Sequence, residues 1–397
     1  MESQKTCKLF GVIRAVLGIR GALPLVHGPL GCAYHLRYIL SARSARPVRI
    51  LSTEMDQNDV VFGAEEKLKK KIILEVDEKY SPELIVVLTS CASSIIGEDI
   101  ESVIKRVKNS INAEIIWISS GGFEGNQVDG YEEVLSRFVE LMDEPSHGKG
   151  EKPSINLVGQ FRGGQDLKNL KANFESLKIN VGCVLTSGAT FKEVKSAGSA
   201  DLNVSMCEAS ALVPCEIMQK KFGTPFISPA FPMGVSTTSN YFREICSFLG
   251  VEYTLQGEEE HAKAILEDYS QYLRGKRAVI ISGSTRAIAL TEFLHELGME
   301  TVLVCVDFEG RETMKKLTEI TSKEGINPTI LKEPDYHEII HQIAKLKPDI
   351  ILGGLGELGI AKTFKVPLID VMHSQEVTMG FKGALELANV IKEALES

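Results

Sequence analysis

Leu84-Ile85-Val86-Val87-Leu88-Thr89-Ser90-Cys91-Ala92-Ser93-Ser94-Ile95-Ile96-Gly97-Glu98-Asp99 decides the fold of this chain. The run Leu84–Leu88 is apolar and largely β-branched, with no polar residue alternating along it. Such a run reads as a strand of a parallel sheet, buried by helices on both faces. The small polar residues after it read as a turn into a helix, with Cys91 at the junction.

The pattern repeats outward in both directions. Further strands are expected at Glu114–Ile118, Ile155–Val158, Val181–Leu185, Leu202–Ser205, Ala278–Ile281, Thr301–Val304, Asp349–Leu352 and Pro367–Ile369. Amphipathic segments lie between them, among them Tyr131–Met142, Gln165–Leu177, Glu208–Phe222, Arg286–Leu297, Asp335–Leu346 and Phe381–Leu395. Alternation of this kind predicts an α/β fold. Right-handed crossovers then place every strand's C-terminal end on one edge, where the loops build a site. Two polar stretches, Glu144–Pro153 and Arg274–Arg277, each precede a fresh strand. The chain therefore divides into three Rossmann-like α/β domains around a central cleft, at 1–150, 151–275 and 276–397.

Composition narrows the function. The 397 residues include 44 Lys and Arg against 53 Asp and Glu, a net charge of −9. That balance argues against a nucleic-acid partner, which needs a basic stripe. No apolar run is long enough to span a membrane, and Met1–Cys7 has no apolar signal core, so a cytoplasmic protein is expected. Eight cysteines in this length are too sparse for a disulfide scaffold.

Their positions are more informative. The run Leu23-Pro24-Leu25-Val26-His27-Gly28-Pro29-Leu30-Gly31-Cys32 reads as a strand, a tight turn and a helix opening at Cys32. A thiol at a helix N-terminus meets free N–H groups that favour thiolate, the form that binds metal. Cys91 occupies the equivalent corner, and Cys7 lies in a segment able to cross the same edge. Three separated thiols do not match the paired cysteines of a zinc ribbon, but they suit an iron–sulfur cluster held from separate elements. Cys207 repeats the arrangement after Leu202–Met206, and His373 follows the short strand Pro367–Ile369. Cys183, Cys215, Cys246 and Cys305 lie inside strands or helices and read as core. The glycine-rich loop Gly159-Gln160-Phe161-Arg162-Gly163-Gly164 follows another strand. A literal GxGxxG at Gly354–Gly359 has too few residues before the next strand for a dinucleotide-binding unit. No GxxxxGK[ST] motif occurs, so the chain has no phosphate-cradling P-loop of its own.

Together these residues resemble the nitrogenase component 1 superfamily. The resemblance covers nearly the whole chain. It rests on Cys7, His27-Gly28-Pro29-Leu30-Gly31-Cys32, Cys91 before Ile96-Gly97-Glu98-Asp99-Ile100, Ser52–Asp56, Val61–Leu68, and Gly122-Phe123-Glu124-Gly125 leading to Gly130-Tyr131. It implies that Cys7, Cys32 and Cys91 ligate an iron–sulfur cluster (4Fe–4S or P-cluster-like) at an interface with a second component 1 subunit, a paralogue or another copy. An iron-protein ATPase would supply the electrons. Leu202–Cys207 with Lys221–Pro225, and Asp370–Ser374 with Gly380–Gly383, resemble segments that hold an iron–molybdenum-type cofactor. Cys207 and His373 are thus its implied ligands, and Gln160 and Arg162 further expected contacts. Two functions follow. The first is the α-type component of a nitrogenase-like oxidoreductase, passing electrons to a bound metallocofactor or substrate. The alternative is a scaffold on which the iron–molybdenum cofactor matures without turnover. The loops Gly122–Tyr131 and Gly159–Gly164 lean toward the scaffold or an uncharacterised branch. A tetrapyrrole reductase of the same fold would have no need for both Cys207 and His373. A metal-free nucleotide-sugar or NAD enzyme would be colourless.

Overall fold

The computed structural model describes residues 6–41, 47–145, 151–161, 163–372 and 377–396. Three parallel sheets follow one another along the chain. After the two-residue β1 (Ile19–Arg20), the first sheet takes β2 (Ala22–His27), β3 (Leu51–Ser52), β4 (Leu84–Thr89) and β5 (Glu114–Ile118), in the order β3-β2-β4-β5. The second takes β6 (Ser154–Val158), β7 (Asn180–Leu185), β9 (Leu202–Ser205) and β10 (Phe226–Ile227), in the order β10-β9-β6-β7, while β8 (Ala189–Thr190) leaves to pair with β1. The third takes β11 (Arg277–Ser282), β12 (Glu300–Val306), β13 (Thr329–Lys332), β14 (Ile350–Gly353) and β15 (Leu368–Asp370), in the order β13-β12-β11-β14-β15. The α/β fold read from the sequence is the observed one.

Side-chain alternation explains why these strands are so apolar. On β4, Leu84, Val86 and Leu88 face a core that contains Leu9, Val12, Ile13 and Val16 of the helix Lys8–Leu17. Ile85 and Val87 face the opposite core with Leu68, Ile72, Val103 and Val107. Both faces are covered, so both phases of the two-residue period must be apolar.

The sheets share cores. The first of these cores also takes in Val158, Cys183 and Leu185 of the second sheet. The core of the second sheet runs on without a break into Ala278, Ile280, Val304 and Leu352 of the third. The join between the first two sheets is tight: β1 pairs with β8, and a Cβ on Gly18 would lie 1.6 Å from the Thr186 carbonyl oxygen. The helices Lys8–Leu17 and Gln127–Glu140 pack so closely that a Cβ on Gly11 would lie 2.0 Å from the Gln127 carbonyl oxygen. The C-terminal helix Gly380–Glu396 packs on helices Gln256–Leu273 and Gly164–Ser176. No helix among the described residues is long and apolar enough to cross a membrane.

Strand order fixes where ligands bind. Each sheet reverses direction once: between β2 and β4, between β6 and β9, and between β11 and β14. At such a switch point adjacent loops diverge and leave a crevice beyond the strand ends.

Two helix starts differ from the sequence reading. The helix expected to open at Cys32 begins at Leu30, because the Pro29 carbonyl already accepts the Cys32 N–H (3.3 Å). The helix expected from Glu208 begins at Leu212. The third sheet's loops draw Glu208 away: its carboxylate accepts from the Glu312 N–H (2.8 Å) and the Thr313 hydroxyl (3.2 Å). The GxGxxG stretch forms one 3₁₀ turn, Leu355–Glu357, and the seven-residue helix Leu358–Phe364.

Candidate functional site

The first switch point carries the first three thiols. Cys32 follows β2 in the first turn of its helix. Cys91 follows β4 as the first residue of the helix Cys91–Ile96, behind the N-cap Ser90. Ser90 and Ser93 form a reciprocal capping box, and the Ser93 hydroxyl also donates to the His27 carbonyl (2.6 Å). These bonds tie the Cys91 helix to the strand that leads to Cys32. Cys7 caps the helix Lys8–Leu17 and pairs through its backbone with Asn126, in the loop after β5. That loop supplies Gly122, whose N–H donates to Cys91 Sγ at 3.0 Å. A Cβ at Gly122 would lie 3.3 Å from both Cys91 Sγ and the Cys7 Cβ. Burial pushes the Cys32 thiol pKa up, and the nearby Cys91 and Cys7 push it further. The three thiols therefore share one electrostatic neighbourhood. Among the described residues no three His, Cys, Asp or Glu side chains close on a single ion. The site is thus a shallow cradle open to the outside: Cys91 is exposed, and Cys7 and Cys32 are half-buried. Leu30, Tyr34, Ile95 and Phe123 stand exposed on the same loops and helices.

Beneath it, His27 is fully buried, with Nδ1 3.0 Å from the Thr53 hydroxyl and Nε2 3.5 Å from Glu98 Oε2. Burial lowers its pKa against the opposing pull of Glu98.

The second switch point carries Gln160, after β6, and Cys207, after β9. They line one cavity of about 180 Å³, several times the volume of a water molecule. The first sheet's helices contribute Arg14, Gln127 and Tyr131 to its wall. The third sheet contributes Ser284, Thr285, Arg286 and Asp307. All three sheets thus converge on Cys207. A second cavity, with Glu208, Tyr241, Glu292 and Lys316 in its wall, shares Met206, Cys207 and Thr285 with the first. Gly159 makes the close approach of the β6 and β9 loops possible. Its φ is +82°, and a Cβ there would lie 3.1 Å from that of Cys207. Gln160 is buried and its amide reaches toward Met379 Sδ (4.0 Å). The cavity is soft and apolar at Met206, Phe161, Phe231 and Met372. Among the described residues its cations are Arg14 and Arg286, and the latter lies over the Phe231 ring at 5.2 Å. The N-terminus of the helix Ser284–Glu296 adds partial positive charge.

His373 and Arg162 lie outside the described residues. On the near side of His373, Met372 lines the cavity. On the far side, Thr378 and Met379 are anchored to the helix Gly164–Ser176, which packs on the second sheet. Their N–H groups donate to Asp166 Oδ1 at 2.6 and 3.0 Å.

A family model described as nitrogenase component 1 type oxidoreductase matches residues 7–396. The chain belongs to that family. It is 29% identical to the nitrogenase iron-molybdenum cofactor biosynthesis protein NifE of Clostridium pasteurianum, across all of this chain and 88% of the relative. It is 28% identical to the nitrogenase molybdenum-iron protein alpha chain of Methanothermobacter marburgensis, across 99% of this chain and 88% of the relative. The solved structure titled nitrogenase Cp1 at pH 6.5 superposes with a TM-score of 0.90 at 24% identity, over all of this chain and 93% of that one.

Within this family member the remaining cysteines are structural. Cys183, Cys215, Cys246 and Cys305 are buried, and burial raises all four thiol pKa values, Cys246 to about 11. Arg14 and Arg286 were missed by the sequence reading. For Arg14 a signal existed, a lone cation inside the otherwise apolar run Leu9–Leu17. Tyr131 was quoted there only as part of a segment.

Proposed function

We propose that this protein is a scaffold subunit on which a metal–sulfur cofactor of the iron–molybdenum type matures. The observation that carries the reading is the convergence of all three sheets on Cys207, in a soft-walled cavity whose described lining holds two arginines and one carboxylate. Such a cavity suits an anionic, sulfide-rich cluster held by a thiolate. Cys207 would hold it, with His373 as the expected second ligand and Gln160 and Arg162 as neighbours.

Cys7, Cys32 and Cys91 would hold an iron–sulfur cluster of the 4Fe–4S or P-cluster type. The side-chain-free position at Gly122 leaves room between Cys7 and Cys91, and its N–H donates to a sulfur, as such clusters require. The shallow cradle and the exposed Leu30, Tyr34, Ile95 and Phe123 suit a cover by a second component 1 subunit. An iron-protein ATPase is the expected electron donor.

The likeness to NifE favours this scaffold over the turnover enzyme, the first of the two functions read from the sequence. The likeness to a molybdenum–iron alpha chain supports the enzyme as the second reading. Anaerobic purification separates them. A scaffold transfers its cluster to an apo-enzyme and shows little substrate turnover; retention of the cluster with sustained turnover would select the enzyme. In the same preparation, Cys91→Ala should abolish the first cluster's absorbance, and Cys207→Ala should remove the second centre alone. Loss of the same iron in both variants would refute two sites.

A further inference from the structure

One polar atom beside the Cys207 cavity lacks an acceptor among the described residues. Tyr131 is 6% exposed and stacks on Phe161, with ring centroids 4.1 Å apart and planes at 24°. Its hydroxyl is buried and completes no hydrogen bond among the described residues, although the Arg14 guanidinium lies close enough to interact with it. A guanidinium can only donate, so the phenol proton itself has no acceptor among the described residues, and a buried donor left in that state is destabilising. Burial raises the phenol pKa and the Arg14 guanidinium beside it pulls the other way, while Cys207 lies within electrostatic reach. Arg14 is half-buried and has no carboxylate partner among the described residues. Both side chains line the cavity that Cys207 lines.

We propose that Tyr131 and Arg14 form a donor subsite for an inorganic sulfide of a metal–sulfur cluster held at Cys207, the phenol O–H donating to the sulfide and the guanidinium balancing its charge. The inference rests on the scaffold reading above. The wall chemistry selects the acceptor. A hydrated oxyanion entering beside Phe161, Met206 and Phe231 would lose water that two donors cannot replace. A sulfide is large, polarisable and weakly hydrated, and it tolerates apolar neighbours. Tyr131 is a positioning residue that fixes cluster orientation and potential.

The test uses anaerobically prepared, cluster-loaded protein as wild type, Tyr131→Phe, Arg14→Met and Cys207→Ala. Iron content is read by metal analysis, the midpoint potential of the second centre by redox-poised paramagnetic resonance, and the melting temperature on the iron-free protein. Tyr131→Phe keeps the ring stack. It should retain full iron, shift the midpoint potential negative, and leave the iron-free Tm unchanged or higher. A hydrogen bond to sulfide stabilises the reduced, more negative cluster, so its loss lowers the potential. Arg14→Met should shift the potential in the same direction. An unchanged potential with full iron in Tyr131→Phe would overturn the proposal, as would a lower iron-free Tm, which would show the hydroxyl bonded within the protein itself. A shift seen only when citrate is added would assign the acceptor to a carboxylate and overturn the sulfide assignment. If Cys207→Ala keeps the second centre, the scaffold reading fails independently of Tyr131.

Discussion

At Gly159 the backbone itself sets the distance between the Gln160 and Cys207 loops. Its φ of +82° disfavours any L side chain, and a Cβ would also lie 2.8 Å from the Ala211 Cβ and 3.1 Å from that of Cys207. Gly188 is a built-in control, with φ +79° but no atom within 4 Å of its Cβ position. Gly188→Ala should cost about 1 kcal/mol, the left-handed backbone penalty alone. Gly159→Ala adds overpacking and should cost about 3 kcal/mol. Denaturant titration of the two variants measures the difference, and equal losses would show that the loops are free to move apart. The cysteine corners were legible in the sequence because each follows an apolar strand and precedes a helix. Tyr131 and Arg14 were not legible as a pair. They are 117 positions apart, and nothing local to either announces the other.

Among the elements, the helices Val235–Leu249 and Gln256–Leu273 are joined by one charged knot. Glu259 accepts from Lys263 (2.6 Å), Arg243 (2.7 Å) and the Tyr253 hydroxyl (3.0 Å), and Arg243 lies 4.1 Å from the Tyr253 ring centroid. Burial pushes the Glu259 pKa up, but these three donors together outweigh it and hold it at about 2. The carboxylate is thus more acidic folded than unfolded. Its contribution is present above the unfolded value near pH 4.5 and is lost as pH falls toward 2. Glu259→Gln should therefore flatten the stability curve between pH 4.5 and 2 relative to wild type. Parallel acid-denaturation profiles would expose an error if the two curves stay parallel there. The sequence reading named neither helix. It did not name Lys8–Leu17 either, which is buried at eight of its ten positions, so no polar face marks its period. The β-strands were easier. Covered on both faces, they read as unbroken apolar runs whatever packs on them.

At the scale of the molecule, two buried carboxylates hold the sheets around the cavity. Asp166 binds the Thr378–Met379 backbone to the helix Gly164–Ser176 on the second sheet, and Glu208 binds the residue after Cys207 to the Glu312–Thr313 loop of the third. A Cβ on Gly310 would lie 2.9 Å from the Glu208 side chain, so that clasp is close-packed as well as polar. Glu208→Ala orphans the Glu312 N–H and the Thr313 hydroxyl. It should cost about 2–3 kcal/mol and raise amide exchange across Met206–Ala211 and Glu312–Thr313 together. Faster exchange in one segment only would show that Glu208 does not couple the sheets.

The sequence by itself determined the parallel α/β architecture, the edge on which sites lie and the thiols placed along it. These depend on near-neighbour patterning, in which strand, turn and helix follow within a dozen residues. Only the tertiary structure decided that Arg14, Tyr131, Gln160, Cys207 and Arg286 face one cavity. That convergence is set by how three sheets dock through shared apolar cores. Burial of apolar area has no direction of its own, so the packing of whole faces, rather than any local motif, chooses which loops meet.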